Sequence, residues 1–259
     1  MSIKFYYQTV LNALGIRPRI IFRRFKGLFP FKRSLTLFRS SCNWAIEVEP
    51  KLDDIHECAA SLGEYFWQDL WVAKKIFELN PQRHIDVGSR IDGFVAHVAC
   101  CRSIDVFDLR PLNSQIPGVN FHQINILSLP DKWLGVADCV TCLHTIEHFG
   151  LGRYGDKVDP EAWKDGFKNL SALLTAGGRL ILSTPIGHER VKFNAHRIFD
   201  PKRIVEFSNT IGLLLESYAW CECEQNGSWI VKESTHPESD LSLTGRMKYA
   251  VGFFVFKKS

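Results

Sequence analysis

Residues 84–89, with the sequence HIDVGS, are typical of a buried strand that runs into a glycine turn. Gly88 has no side chain, so the backbone is able to turn sharply there and to lie close to a ligand. Asp108 follows twenty residues after Gly88, at the end of a second predicted strand at residues 103–107. An acid at that spacing is placed to bind both hydroxyls of a ribose. The stretch therefore predicts a nucleotide-type cofactor at the ends of the strands.

Strands and helices alternate along the chain after this stretch. The alternation predicts βαβ units, and thus a Rossmann-like, doubly wound α/β sheet that is mostly parallel and has helices on both faces. Past a helix at residues 201–212, Asn226-Gly227 is a favourable hairpin turn between later strands. The predicted strands are residues 83–88, 103–107, 120–124, 137–142, 178–183, 213–224 and 250–256.

The glycine turn lacks the second glycine of the dinucleotide motif G-x-G-x-x-G, because Arg90 stands in its place. A bulky cation near the turn argues against a pyrophosphate packed on a helix N-terminus. It suits a ligand that has a carboxylate tail.

The order of these segments resembles that of the class I S-adenosylmethionine-dependent methyltransferases, over residues 81–259. Asp86 and Gly88 match the acid-x-Gly turn of that superfamily, and Asp108 matches its ribose-binding acid. Asn125 matches a polar residue that faces the adenine, where an aspartate is usual. The resemblance implies S-adenosylmethionine as the cofactor and an antiparallel last strand. The residues it implies around the cofactor are Asp86, Gly88, Ser89, Arg90, Asp108, Asn125 and Ile126.

Residues 143–156 (LHTIEHFGLGRYGD) and 193–197 (FNAHR) look more narrowly like an uncharacterised family of such proteins. Members of that family are often associated with surface-polysaccharide biosynthesis. This resemblance implies a glycan, or a lipid-linked saccharide, as the substrate.

The chain length of 259 residues and its hydrophobic fraction of 46% suit one α/β domain with additions at one end. We predict a basic N-terminal arm at 1–46, a helical lead-in at 47–80 with helices at 52–62 and 65–79, and a cofactor-binding domain at 81–259. Eight cysteines without the spacing of a small disulfide scaffold indicate reduced thiols and a cytoplasmic protein. Three of them, Cys100, Cys101 and Cys139, lie in predicted buried helix or strand.

The basic arm contains nine Lys and Arg residues and no acid, whereas the rest of the chain has 23 basic and 28 acidic residues. The arm is also rich in Phe, Leu and Ile, but it lacks the long uncharged run of a signal peptide or membrane span. Such an arm favours peripheral binding to an anionic membrane surface. Two alternatives are a helix that packs on its own domain or on another copy, and a nucleic-acid contact.

Transfer of a methyl group to a hydroxyl requires a group that removes the hydroxyl proton. The predicted candidates for this catalytic base are His144, His148 and His196. The first two follow the fourth strand at its carboxyl end, where ligands bind in open α/β sheets. The sequence H-x-x-E-H at 144–148 also matches a zinc-protease pattern, but that pattern requires a long helix.

Glu147 and His148 also resemble the metal ligands of small-RNA and ubiquinone-pathway O-methyltransferases, which carry Glu-x-x-Glu-His there and a histidine beyond the fifth strand. In this sequence His144 replaces the first glutamate, and His196 is the distal histidine. The resemblance implies a divalent metal on these four residues. Three histidines with one carboxylate would favour Zn, Mn, Fe or Co over Mg. A metal-free histidine base, or neither role, are the alternatives.

Arg153 and Tyr154 lie on a glycine-bounded loop, and Arg197 lies beyond the fifth strand. Polar side chains on loops at this end of the sheet suit sugar hydroxyls or phosphates. Ordinary loop capping and ion pairing are the alternative.

These patterns together favour an S-adenosylmethionine-dependent O-methyltransferase that modifies a sugar hydroxyl of a surface glycan or of its lipid-linked precursor. A second hypothesis is an RNA ribose 2′-O-methyltransferase, although the net negative charge of residues 47–259 makes nucleic acid an unfavourable partner. A third is a non-catalytic protein that binds the cofactor or a partner, because fold alone does not prove turnover.

Overall fold

A computed structural model describes residues 18–52, 60 and 62–259 of the chain. It contains two compact units, residues 1–61 and residues 62–259. The second unit includes the helix that we assigned to the lead-in. The predicted helix at 52–62 and the first seventeen residues of the basic arm lie largely or wholly outside the described residues.

An eight-stranded sheet forms the centre of the second unit, in the order β3-β2-β1-β4-β5-β10-β8-β9. The five strands from β3 to β5 are parallel, and the last three additions pair antiparallel. The predicted mostly parallel α/β fold and the antiparallel last strand are thus confirmed. The strands are β1 (His84–Val87), β2 (Ile104–Asp108), β3 (Val119–Gln123), β4 (Ala137–Leu143), β5 (Leu174–Ile186), β6 (Arg190–Lys192), β7 (His196–Ile198), β8 (Leu213–Cys223), β9 (Trp229–Glu233) and β10 (Ala250–Lys258).

Helices cover both faces of this sheet, so strands such as β1 are buried on both sides. The helices of the second unit are α2 (Glu64–Leu79), α3 (Ala96–Ala99), α4 (Ala162–Leu173), α5 (Pro201–Thr210) and α6 (Pro237–Gly245). The first unit contains α1 (Pro18–Arg39). On one face Phe167 and Leu170 of α4 pack with Ile204 of α5. On the other face Val72 and Ile76 of α2 lie in a second apolar cluster.

The sequence does not predict β6 and β7, which form a separate two-stranded sheet after β5. Each has only three residues, too short for a periodic pattern. This small sheet carries His196 and Arg197, and so it fixes their position beside the larger sheet.

Cys139, predicted to be buried, lies buried on β4, and so does Cys142 on the same strand. Burial raises the pKa of Cys139 to about 12, which makes it an inert thiol. The prediction for Cys100 and Cys101 is wrong: both are exposed, because α3 ends at Ala99 and the chain turns there. Among the described residues, no helix has the length and apolar character needed to cross a membrane.

Candidate functional site

A cleft of about 670 Å³ lies beyond the carboxyl ends of β1, β2 and β4. At this point the strand order reverses, because β2 follows β1 on one side and β4 pairs with β1 on the other. Open α/β sheets bind ligands at such switch points. The lining residues include Gly88, Phe107, Asp108, Asn125, Ile126, His144, Thr145, His148 and Phe149.

Gly88 forms the floor of the cleft in a left-handed conformation, with φ +74°. Its N–H donates to the carbonyl of Phe107 over 2.8 Å, which joins the turn after β1 to β2. A Cβ atom at this position would lie 2.5 Å from Cγ2 of Thr145. Both the backbone conformation and the crowding therefore require glycine.

Asp86 lies beneath this turn, fully buried, and does not line the cleft. Its carboxylate accepts hydrogen bonds from the hydroxyls of Ser89 and Thr141, both over 2.6 Å, and from the Ser89 N–H over 3.1 Å. Burial raises the pKa of Asp86 to about 6, although these hydrogen bonds lower it. The structure thus gives Asp86 and Ser89 the role of fixing the turn, and leaves direct cofactor contact by either as a prediction.

Asp86→Asn is expected to change how stability depends on pH. The folded-state pKa of about 6 exceeds the ordinary 3.8, so the folded protein holds this proton more tightly than the unfolded chain. The contribution of Asp86 to stability is therefore highest at low pH and falls as the pH rises from 3.8 to 6. Urea unfolding should show the free energy of unfolding of the wild type, relative to the variant, falling by about 1–3 kcal/mol over this range. A constant difference would contradict the expectation.

Asp108, the predicted ribose-binding acid, lines the cleft with a partly exposed carboxylate. Its oxygens are held by Arg110: the backbone N–H donates over 2.8 Å, Nε over 3.0 Å and Nη2 over 2.7 Å. The guanidinium also lies 5.5 Å from the ring centre of Tyr154. Arg110 therefore shares the acceptor oxygens that a ribose would use.

Asn125 caps a short helical turn, Ile126–Ser128, by accepting the N–H of Leu127 at its side-chain oxygen over 3.0 Å. This contact fixes the amide at the edge of the cleft. Ile126 is buried and lines the same region. Phe107 and Phe149 add further apolar surface, so this end of the cleft suits a flat aromatic base.

A second pocket, of about 760 Å³, adjoins the cleft and is mostly polar. It shares Gly88, Arg110, His144, His148 and Tyr154 with the cleft. Its other lining residues include Glu64, Tyr65, Gln68, Arg90, Glu147, Arg153, His196 and Tyr249. Two ligands bound in the two cavities would therefore meet at the shared residues.

Glu147 is the buried centre of the second pocket, with 1% of its side chain exposed. Its Oε1 lies 3.0 Å from Nδ1 of His144 and 3.8 Å from Nε2 of His148. Its Oε2 accepts a hydrogen bond from Thr184 over 3.4 Å. The carboxylate thus faces both histidines that follow β4.

His148 has a defined tautomer. Its Nδ1 lies 2.7 Å from the carbonyl oxygen of Ala195, which only accepts hydrogen bonds. The proton of the neutral ring is therefore on Nδ1, and the lone pair is on Nε2, toward Glu147. Burial lowers the pKa of His148, although the charge of Glu147 raises it, so the ring is neutral at pH 7. These are the properties of a general base.

His144 differs from His148 in the direction of its pKa shift. Burial lowers its pKa, but the hydrogen bond and the charge of Glu147 raise it more, so the net shift is upward. Its backbone is left-handed, with φ +49°. Its Nε2 is buried without a protein hydrogen-bond partner. The pairing suits a cation that neutralises Glu147 better than it suits a free base.

His196 lines the same pocket from β7, and its Nε2 is also buried without a protein partner. Burial and the charge of Lys192 lower its pKa. The structure thus brings all three predicted histidines and Glu147 to one cavity. Within the described ranges, however, no three His, Cys, Asp or Glu residues have an arrangement that fits a metal ion. The predicted metal ligands therefore do not form a metal centre here.

Two of the solved structures that are similar to this chain reach a TM-score of 0.50. One is a candidate sarcosine dimethylglycine methyltransferase from Galdieria sulphuraria, with a TM-score of 0.50, 12% identity, and coverage of 74% of this chain and 86% of that chain. The other is an S-adenosylmethionine-dependent protein, a candidate histamine N-methyltransferase, from Thermotoga maritima. Its TM-score is 0.50 at 16% identity, over 74% of this chain and 89% of that chain. The chain has the fold of these methyltransferases.

A family model matches a shorter part of the chain than these structures do. Residues 119–228 match the family described as "Caenorhabditis protein of unknown function, DUF268". The comparison with curated proteins finds no match. The matched residues begin at β3 and include the segment with Glu147 and His148. They therefore contain residues of the second pocket but not the glycine turn at Gly88.

Of the three residues predicted to bind the substrate, two line the second pocket and one does not. Arg153 and Tyr154 line the second pocket, on a loop that Asp156 holds by accepting the N–H groups of Gly150 and Tyr154 over 2.8 and 3.2 Å. Arg197 does not line that pocket. It is buried and donates to the carbonyls of Glu147, Phe149 and Pro160, so its guanidinium stabilises the loop backbone instead of meeting a substrate.

The second pocket is lined by Arg90, which was predicted as a cofactor-site residue, and by several residues that were not predicted as site residues. Arg90, predicted near the cofactor, lines the second pocket, where it pairs with Asp92 over 2.9 Å and lies 5.4 Å from the Tyr65 ring centre. Tyr65 and Gln68 come from α2, and Tyr249 precedes β10. Among these unpredicted residues, only Arg110 has a local sequence pattern that could have indicated it. It follows Asp108 by two residues, so an acid and an arginine share one turn.

Proposed function

We propose that this protein is an S-adenosylmethionine-dependent O-methyltransferase that acts on a sugar hydroxyl of a surface glycan or of its lipid-linked precursor. The observation that carries the proposal is the pair of buried Glu147 and half-buried His148, with a neutral Nε2, at the boundary between the cleft and the polar pocket. An alcohol needs such a base, because its proton must leave as the new O–C bond forms.

The cleft fits S-adenosylmethionine. Gly88 brings bare backbone to the cleft, Asp108 offers its carboxylate to the ribose, and the apolar surface near Asn125 suits the adenine. Arg90, beside the shared residues, offers a guanidinium to the carboxylate of the cofactor. When bound, the cofactor supplies a methyl group activated by a sulfonium.

In this scheme His148 accepts the acceptor proton on Nε2. The imidazolium that forms is then stabilised by Oε1 of Glu147, 3.8 Å away. Nδ1 keeps its hydrogen bond to Ala195, so the ring does not reorient during the step. His144, already paired with Glu147, holds that carboxylate in place. Because the donors do not match a metal centre, no step runs through a metal ion.

A sugar is the acceptor class that the second pocket supports. Polar groups of Glu64, Gln68 and Arg153 suit hydroxyls, whereas Tyr65 and Tyr154 offer ring faces to the C–H surface of a pyranose. The buried Nε2 atoms of His144 and His196 have no hydrogen-bond partner in the protein, so hydroxyls of a bound sugar could supply one. The similarity of residues 143–156 to a family associated with surface polysaccharides points to the same class.

Asp108→Ala is expected to weaken binding of S-adenosylmethionine by about 10- to 100-fold, the scale of lost charged hydrogen bonds. Isothermal titration calorimetry measures the change. The matched control is Asp105→Ala: Asp105 is on the same strand and pairs with Arg83 over 3.1 Å, but it does not line the cleft. The control should bind the cofactor like the wild type. Equal loss in both variants would remove the cofactor assignment.

Acceptor identity is then tested with a panel of sugar nucleotides, lipid-linked saccharides and RNA, by transfer of a labelled methyl group. Methylation of a saccharide supports the proposal. Methylation of RNA alone contradicts the sugar acceptor, and cofactor binding without product across the panel favours a non-catalytic protein.

A further inference from the structure

One face of α1 carries a stripe of exposed aromatic side chains. Phe22, Phe25 and Phe29 are 61%, 68% and 86% exposed. Their spacing of three and four residues places them on the same side of the helix. Within the described part of the first unit, these rings form an apolar surface that packs against no core.

The opposite face of α1 is partly covered, although Phe38 near its end is 59% exposed. At Gly27 the helix touches the backbone of Leu52 so closely that a Cβ would clash with it. Leu28, Phe31 and Leu35, also away from the stripe, are half-buried. The helix therefore has one face that packs within its own unit and an apolar face that is exposed.

Basic side chains flank the aromatic stripe. Lys26 lies on one side of it, with Nζ 4.7 Å from the ring centre of Phe22, and Lys32 and Arg33 follow the stripe along the helix. There is no acid anywhere in residues 1–46. The surface is thus both apolar and uniformly positive, a combination that matches anionic headgroups over an acyl layer.

We propose that α1 binds flat on an anionic lipid bilayer, with Phe22, Phe25 and Phe29 inserted among the acyl chains and Lys26, Lys32 and Arg33 at the headgroups. At 22 residues the helix extends about 33 Å along the membrane plane. A nucleic-acid backbone would satisfy the charges but would leave the three rings against phosphates. This surface is independent of the proposed transferase activity and needs neither cofactor nor acceptor.

The test is co-sedimentation of the full-length protein with vesicles of pure phosphatidylcholine, or of phosphatidylcholine with about one-third phosphatidylglycerol. We expect binding to the anionic vesicles that weakens as salt is raised, and little binding to the neutral ones. Phe25→Ala with Phe29→Ala should weaken binding by about 10-fold or more. Lys32→Gln with Arg33→Gln should weaken it by about 25-fold, or about 5-fold for each charge.

Matched controls lie on the second unit. Phe77 and Phe193 are similarly exposed, at 69% and 74%, and Lys202 and Arg246 are exposed cations. The double variants Phe77→Ala/Phe193→Ala and Lys202→Gln/Arg246→Gln should bind vesicles like the wild type. Far-ultraviolet circular dichroism and the melting temperature of every variant, compared with the wild type, show that the variants are folded.

Three outcomes overturn the proposal. The first is no binding to anionic vesicles at low salt. The second is equal loss of binding in the test and control pairs. The third is self-association without lipid that Phe25→Ala/Phe29→Ala abolishes, which would make the stripe a contact between copies. Failure of methyl transfer would leave the vesicle result unchanged, so the two proposals fail separately.

Discussion

His148→Ala is expected to lower kcat by about 10²- to 10⁴-fold, the range that a positioned general base contributes. The variant removes the neutral Nε2 that faces Glu147, while the turn at Gly88 and the carboxylate of Asp108 stay in place. Methyl transfer measured under saturating cofactor gives kcat, and calorimetry gives cofactor affinity separately. His236→Ala, at an exposed histidine, is the control and should match the wild type.

The pH profile distinguishes a base from a merely structural histidine. Because burial holds the pKa of His148 below 6.5, kcat should be level at pH 7 and fall only as the medium becomes more acidic than 6.5. The charge of Glu147 raises this pKa, so Glu147→Gln should move the acid limb to lower pH as well as reduce kcat. A profile that is unchanged in Glu147→Gln, or a kcat of His148→Ala within about 2-fold of wild type, would refute the assignment.

Gly88→Ala is expected to abolish measurable binding of S-adenosylmethionine, a loss of at least about 100-fold. The added Cβ has to sit 2.5 Å from Cγ2 of Thr145, at a φ of +74° that side chains disfavour. The turn must therefore shift, and with it the floor of the cleft. Calorimetry on the folded variant, with its melting temperature measured in parallel, tests the expectation.

Gly177→Ala separates backbone strain from crowding. Gly177 has the same φ of +74°, but a Cβ there has no neighbour within 4 Å. This control should lose some stability and keep its cofactor affinity. Gly88→Ala combined with Thr145→Ala removes the nearest methyl group and should recover part of the affinity. Normal cofactor binding by Gly88→Ala alone would show that the turn does not form the floor of the site.

The sheet was predictable because its signals are local. The strand before Gly88, and the spacing from Gly88 to Asp108, depend on a few consecutive residues and on the fixed geometry of a βαβ unit. The same holds for the Asn226-Gly227 turn, which joins β8 to β9 where it was expected.

The second pocket was only partly predictable, because distant segments build it. Tyr65 from α2 and Tyr249 before β10 meet His144 there, and no local pattern relates them. The prediction that Arg197 binds substrate was wrong for a similar reason. The three backbone carbonyls that its guanidinium contacts belong to distant segments of the chain. A side chain's type suggests a ligand, but only the folded chain shows whether the backbone has already used it.

The ion pair between Asp108 and Arg110 couples ligand binding in the cleft to ligand binding in the second pocket. A ribose that takes the Asp108 oxygens displaces N–H groups of Arg110, whose guanidinium lines both the cleft and the second pocket. Filling the first cavity therefore changes the charge presented to the second. We expect a compulsory binding order, in which the cofactor enters first and the acceptor follows, and the demethylated cofactor leaves last.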